Sequence, residues 1–362
     1  MAHSLAGAPN VQYVTLLVHR PSLIQQWHDE GSAIKLQRDN QIYTKTGVNV
    51  ELSEPFHEEK RGQEFQKDSN SISRKSIIKN LIVTTQGHTT ISALADIKHR
   101  LRPSSTICFM QDSLGVMDYV KSSVFTDPVT APNYILGSIS HDLESTRNKF
   151  SIVEKRSGAI TLTAIPWVAQ RSQREKKRVS IRREDFRWPS VSKHLIRTLR
   201  RVPELGAKCS DTQKFLKAQL ERLAIDSVIG PMSVIYGCFN DQLLSNYQAS
   251  QTMELLLQEI SLILRSIPEV SRIPRINKDF SANTLKRLVL SVIDRTGRNR
   301  SAMLQALEDG KDTKIDFYNG YFLRRAKELG IDCRRLELVV SLVKEKQNLK
   351  IGEKTSYIPF ED

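Results

Sequence analysis

Apolar runs in the first half of the chain alternate with stretches that suit helices. Apolar and β-branched residues are concentrated over residues 11–20, 79–86 and 105–111, and short runs of this kind predict buried strands. A helix is expected to begin at Pro21, directly after the first run, and another over about residues 89–101. Because strand, helix and strand alternate, we expect this half to form a parallel sheet.

Helical spacing dominates the second half of the chain. The segment over residues 252–264 is apolar on nearly all sides, which predicts a helix buried at the centre of a helical domain. Further helices are expected over residues 283–295, 314–329 and 334–346.

Two polar stretches interrupt this pattern. Residues 51–76 are dense in charge and serine and predict an exposed insertion. Residues 167–189 are rich in lysine and arginine and follow the last short strands of the first half, which are expected over residues 134–166. We therefore predict two domains, over residues 1–189 and 190–362, with the basic segment at the end of the first.

The overall composition fits a globular protein, and its unusual property is charge. The hydrophobic fraction of 39% is ordinary, and no run approaches the roughly 18 apolar residues of a membrane span. Four cysteines are scattered without metal-binding spacing, which favours reduced thiols, an intracellular compartment and no metal site. The net charge of +14 is high for an enzyme that acts on small molecules and indicates a phosphate-bearing partner.

One region carries most of this charge. Residues 171–201 contain twelve Lys or Arg against three Asp or Glu, which is +9 of the +14. Trp167, Phe186 and Trp188 lie among or beside these charges. Because cations neutralise phosphates and aromatic rings stack on unpaired bases, the region is a candidate interface for single-stranded RNA. A solvated loop anchored by its aromatic rings is the alternative. The candidate RNA contacts are Arg174, Lys176, Lys177, Arg178, Arg182, Arg183 and Arg187.

Two runs in the helical half carry a family resemblance. The first is Gln219-Leu-Glu-Arg-Leu-Ala-Ile-Asp-Ser-Val-Ile-Gly-Pro-Met, and the second is Arg298-Asn-Arg-Ser-Ala-Met-Leu-Gln, followed by Thr313-Lys-Ile-Asp-Phe-Tyr-Asn-Gly-Tyr. Both resemble the C-terminal domain of the ketopantoate reductases, the NADPH-dependent enzymes that reduce 2-dehydropantoate to pantoate. The chain looks like a divergent, fungal member. This resemblance implies a Rossmann-type parallel-sheet domain followed by an all-helical domain of the 6-phosphogluconate dehydrogenase type.

The same resemblance implies where the catalytic positions lie. The family's lysine, a general acid toward the substrate carbonyl, corresponds to Arg222, and its two substrate-binding asparagines correspond to Asp226 and Gly230. A serine and a glutamate that hold the substrate in the family correspond to Ala302 and Lys314. The candidate catalytic residues, all at family positions, are Arg222, Asp226, Ser301 and Lys314.

These replacements weaken the expected chemistry. A buried lysine can be tuned to give up a proton near neutral pH, whereas a guanidinium stays protonated, so Arg222 can bind an anion or polarise an oxygen but not act as the acid. Lys314 reverses the charge that would receive a substrate hydroxyl. Loss of several positioned polar groups from one site is expected to leave little turnover.

The cofactor side of the resemblance is also incomplete. A dinucleotide-binding domain begins with a strand and a GxGxxG loop that hold the pyrophosphate, and neither precedes the strand at residues 11–20. We expect either an upstream continuation that carries the loop or loss of dinucleotide binding. For the sequence as given we therefore expect no cofactor. If the loop exists upstream, we expect NADP. Arg20 suits the 2′-phosphate of NADP, or is an ordinary surface residue. The candidate cofactor-binding residues are Arg20, Gln86, Asp112 and Gly115.

Three functions are compatible with these observations. In the first, the chain has lost reductase activity and binds RNA or a protein assembly, in mitochondria rather than the cytoplasm. Some fungal proteins similar to this family are mitochondrial translational activators, and this chain's divergence resembles theirs. The second is an NADPH-dependent reductase of 2-dehydropantoate or another 2-oxo acid. The third is a structural subunit of a larger assembly. The first is favoured because the chain combines two features, altered residues at the family's catalytic positions and a strongly basic segment.

Overall fold

Two compact units make up the chain in a computed structural model, Met1–Thr212 and Gln213–Asp362. The structure describes residues 1–355 except for residues 10, 12, 54–75, 86, 111–113, 166–189 and 272. The helices of the first unit are α1 (Ala2–Leu5), α2 (Pro21–Asp29), α3 (His88–Ile97), α4 (Leu114–Ser123) and α5 (Ser190–Arg200). Its strands are β1 (Val14–Val18), β2 (Ile34–Arg38), β3 (Gln41–Lys45), β4 (Val48–Leu52), β5 (Asn80–Val83), β6 (Thr106–Met110), β7 (Asn133–Ile139), β8 (Asp142–Ser145), β9 (Ser151–Arg156), β10 (Ile160–Ala164) and β11 (Lys208–Cys209).

Three sheets organise these strands. The largest has the order β11-β10-β7-β6-β5, a second has the order β3-β2-β9-β8, and β1 pairs with β4. Strands β5, β6 and β7 are parallel, as the alternation of strand and helix predicted, while β10 is antiparallel to β7. The parallel strands confirm the Rossmann-type prediction.

The five-stranded sheet buries its apolar strands beneath α5. Strand β6 is buried along its whole length, and Leu195, Ile196 and Leu199 of α5 belong to the same hydrophobic cluster. A hydrogen bond of 3.0 Å joins the buried hydroxyls of Ser192 and Thr106. The sequence predicted a domain boundary between residues 189 and 190. The first compact unit instead extends to Thr212, because α5 packs on the sheet of that unit.

A buried ion pair links β4 to the segment that follows α3. Glu51 Oε1 lies 2.8 Å from Arg100 Nη1, and their side chains are 10% and 8% exposed. Arg100 also donates to the carbonyl of Ser76 at 3.0 Å. Both ends of the insertion expected over residues 51–76 therefore contact this guanidinium, Glu51 through its partly buried carboxylate and the exposed Ser76 through its backbone carbonyl. Residues 54–75 lie outside the described part of the chain.

Helices and their connecting turns form the part of the second unit that the structure describes. The helices are α6 (Thr212–Tyr236), α7 (Gln242–Ser245), α8 (Tyr247–Ser266), α9 (Ile276–Asp279), α10 (Ala282–Thr296), α11 (Ala302–Glu308), α12 (Asn319–Leu329) and α13 (Arg334–Thr355). The central helix is α8, which contacts α10, α12 and α13 and buries Leu256, Ile260 and Ile263 completely. No helix in the described ranges combines the length and hydropathy of a membrane span.

The N-terminus of α13 is satisfied by a side chain of α8. The carboxylate of Glu259 accepts from the backbone N–H of Leu336 at 2.9 Å and of Arg335 at 3.3 Å. An acidic group at a helix N-terminus also interacts favourably with the helix dipole. This contact fixes where α13 begins on the central helix.

Candidate functional site

The family positions on α6 lie along one side of that helix. Arg222, Asp226 and Gly230 are spaced four residues apart, which brings their side chains onto neighbouring turns. Arg222 Nε is 3.7 Å from Asp226 Oδ2, with side chains 52% and 40% exposed. A solvent-screened pair of this kind contributes only about 0.3–0.5 kcal/mol to stability. It nevertheless sets a carboxylate beside the guanidinium at the position of the family's general acid.

Gly230 is covered by a methionine. A Cβ atom built on Gly230 would lie 3.1 Å from Met303 Cε, which is tighter than ordinary van der Waals contact. Both residues are buried. The position of the family's second asparagine therefore offers no polar group, and a side chain there would require Met303 to shift.

Ser301, the retained serine, is engaged in holding the fold. Its hydroxyl accepts from the backbone N–H of Leu304 at 3.0 Å and so caps α11. It also lies 2.5 Å from the hydroxyl of Ser233, which donates to the carbonyl of Gly230 at 2.8 Å. These contacts join α11 to α6.

Lys314 occupies a left-handed turn rather than the start of a helix. Its φ of 59° and the short 3-10 turn Ile315–Phe317 precede α12, which begins at Asn319. The sequence predicted a helix over about residues 314–329, and the helix is present but begins at Asn319, because Lys314 has left-handed backbone angles and its N–H donates to Asp312 Oδ1 at 2.9 Å. Next to it, Asp316 Oδ1 is paired with Lys344 Nζ at 2.7 Å.

Asn319, another residue shared with the family's motif, is fully buried. Its side-chain amide donates to the carbonyl of Ser227 at 2.8 Å, which ties the first turn of α12 to α6. The shared residues Ser301 and Asn319 thus both make contacts that position helices.

A lysine that the sequence analysis did not select lies on α6, five residues before Arg222. Lys217 Nζ is 2.5 Å from Asp279 Oδ2 and 3.7 Å from Glu221 Oε1. The hydrogen bond to Asp279 raises the pKa of Lys217, while burial raises the pKa of Glu221. Five residues are about 140° around a helix, so Lys217 does not stand in for the family's lysine. Only the Lys217–Glu221 spacing was visible in sequence, because Asp279 is 62 residues away from Lys217.

The described residues do not assemble a dinucleotide site. Arg20 is exposed between β1 and α2, and Gly115 is buried in the first turn of α4, where it offers no side-chain donor. Gln86 and Asp112 lie outside the described residues. Of the two candidate cofactor positions that the structure describes, Arg20 presents a side chain that could contact a phosphate and Gly115 does not, and no step through NADP follows from this.

The candidate RNA contacts also lie outside the described residues. They are Arg174, Lys176, Lys177, Arg178, Arg182, Arg183 and Arg187. Of the basic region, the structure describes only the end, on and directly after α5. Beyond them, one face of α5 is apolar and buried, and the other carries cations. The exposed basic and histidine residues on and directly after α5 are Lys193, His194, Arg197, Arg200 and Arg201.

Family models and curated relatives point to the same protein family. The model described as ketopantoate reductase PanE/ApbA matches residues 1–167, and that for the PanE/ApbA C-terminal domain matches residues 214–347. The 2-dehydropantoate 2-reductase of Saccharomyces cerevisiae is 24% identical over 271 residues, covering 71% of this chain and 70% of that protein. Cytochrome B translational activator CBS2 of the same yeast is 23% identical over 288 residues, covering 75% and 74%.

A solved structure shares the fold over nearly the whole length. The PanE/ApbA family ketopantoate reductase from Ralstonia eutropha superposes with a TM-score of 0.67 at 17% identity, covering 96% of this chain and 94% of that one. With both family models matched in chain order, and together covering most of its length, this chain belongs to the ketopantoate reductase PanE/ApbA family.

Proposed function

We propose that this family member does not reduce 2-dehydropantoate and instead binds RNA, in mitochondrial gene expression. The observation that carries the proposal is the ion pair of Arg222 and Asp226 at the positions of the family's acid and first asparagine. A guanidinium stays protonated near neutral pH and so cannot deliver the proton that the carbonyl oxygen needs.

The other altered positions support the same conclusion. Ala302 offers no hydroxyl, Gly230 is covered by Met303, and Lys314 brings a cation where the family has an anion. Removal of one polar group aimed at a transition state typically costs about 2.7–4 kcal/mol. Several such losses together would leave the fold intact and the reaction without its acid or its substrate-binding groups.

RNA is favoured as the partner by charge and by one relative. Residues 171–201 carry +9 of the net charge of +14, and the phosphate backbone supplies most of the affinity in non-specific nucleic-acid binding. The similarity to cytochrome B translational activator CBS2 extends over 75% of this chain, about as far as the similarity to the yeast reductase.

The retained scaffold favours a second candidate, an active 2-dehydropantoate reductase. Ser301 and Asn319 are kept, and curated 2-dehydropantoate 2-reductases are among the relatives. If only the acid were missing, Arg222→Lys would restore turnover. We expect Arg222→Lys to give no NADPH oxidation with 2-dehydropantoate, because Lys314, Ala302 and Gly230 stay unchanged. Turnover in that variant alone would instead identify Arg222 as the single block.

Fluorescence anisotropy of a labelled single-stranded RNA, titrated with the full chain at several salt concentrations, tests RNA binding. If about six phosphates of the single strand are contacted, affinity should fall by about 300-fold between roughly 50 and 200 mM salt. Absence of binding at low salt would contradict the proposal and favour a structural subunit of a protein assembly.

A further inference from the structure

An open cavity of about 520 Å³ lies on the first unit, along the exposed side of α5. Its lining combines cationic, imidazole and hydroxyl groups with an apolar wall that includes Val11. The polar lining residues are Ser190, His194, Arg197, Thr198 and Arg201.

Helical periodicity explains why these groups converge. His194, Arg197, Thr198 and Arg201 follow the i, i+3, i+4, i+7 spacing that places side chains on one face of a helix. The opposite face is fixed, because Leu195, Ile196 and Leu199 are buried against the sheet and Ser192 is hydrogen-bonded to Thr106. The cationic groups of the cavity therefore stand on a helix whose other face is packed against the sheet.

These cations have no acidic partner in the part of the chain that the structure describes. No described carboxylate lies within 4.0 Å of the guanidinium groups of Arg197 or Arg201, whereas Arg38 is paired with Glu154 and Arg100 with Glu51 in the same unit. Two guanidinium groups on one face repel each other unless an anion lies between them. The cavity thus has the charge of an anion site.

The geometry points to a phosphate group as the ligand, and we propose that this cavity binds a nucleotide phosphate. Arginine presents a planar fork of donors that matches phosphate oxygens, and hydroxyls such as those of Ser190 and Thr198 add further donors. A volume of about 520 Å³ exceeds that of a phosphate and leaves room for the attached nucleoside.

Two sources could present this phosphate, an RNA chain or a free nucleotide. The choice of RNA rests on the proposed function, and it is favoured because Ser190 directly follows the basic residues 171–189. The helix that lines the cavity is thus continuous in sequence with the basic segment.

The test compares two double variants of the full chain. Arg197→Ala/Arg201→Ala removes two charges from the cavity, and Lys98→Ala/Arg102→Ala removes two exposed charges that do not line it. Thermal unfolding of both verifies that they fold. Binding is measured with a labelled single-stranded RNA and, separately, with adenosine monophosphate.

The proposal expects a selective loss. The cavity variant should bind RNA about 10–100-fold more weakly and lose about two from the salt slope, while the control changes by less than about threefold. Equal weakening in both variants would overturn the cavity assignment and leave RNA binding through net charge intact. If the unaltered chain binds no RNA but binds adenosine monophosphate, and the cavity variant loses that binding, the proposed function fails and the site stands for a free nucleotide. Binding of neither probe to the unaltered chain overturns both.

Discussion

Replacing Phe322 by alanine is expected to lower the free energy of unfolding by about 3–5 kcal/mol. Phe322 lies on α12, is fully buried, and its ring meets that of Tyr321 edge-on with centroids 5.4 Å apart. Truncation removes the transfer free energy of the ring and leaves a cavity that the central helix α8 cannot fill by a small shift. Urea denaturation followed by far-ultraviolet circular dichroism measures the change.

Phe239→Ala is the matched control. It makes the same chemical change at a ring that is 37% exposed, with the guanidinium carbon of Arg300 at 5.3 Å from its centroid. Because that ring is partly solvated, the expected cost is about 1 kcal/mol. Equal losses in the two variants would show that α12 does not pack as described.

Removal of the buried carboxylate at Glu51 has the second large effect. Glu51→Ala removes the carboxylate from the buried ion pair with Arg100, and breaking a buried pair by removing one partner costs about 3–5 kcal/mol. The loss should be visible as a lower urea midpoint for the first unit.

An exposed pair supplies the comparison for this change. Glu144 Oε2 lies 2.7 Å from Lys155 Nζ, with both side chains more than half exposed. Glu144→Ala should shift the midpoint by no more than the error of the measurement, because water screens the pair. If Glu51→Ala were equally silent, β4 would not be held by Arg100.

Much of the fold could be predicted from local sequence pattern. The apolar run over residues 252–264 predicted the central helix, and the alternation in the first half predicted the parallel strands β5 and β6. The turn at Lys314 could not be predicted, because its sequence suits a helix and the competing hydrogen bond comes from Asp312. The place of α5 in the first unit depends on its packing against distant strands.

Family motifs gave the positions of the candidate site but not its contacts. The contact between Arg222 and Asp226 was not predicted, although their spacing of four residues is one that brings side chains together on a helix. The contact between Ser233 and Ser301 joins residues 68 apart in the chain, so only the tertiary fold could reveal that the retained serine caps a helix. In this chain Ser301 therefore has a structural role, as the cap of α11 and as a contact to α6.

The central claim is that this chain keeps the family's fold without its reaction, and NADPH oxidation with saturating 2-dehydropantoate tests it most directly. We predict no turnover above the uncatalysed rate. The same result is expected if the chain is extended to include an upstream GxGxxG loop, because Arg222 and Lys314 would be unchanged. Turnover in the range of roughly 1–1000 per second typical of enzymes would contradict the claim and show that Arg222 serves in place of the lysine.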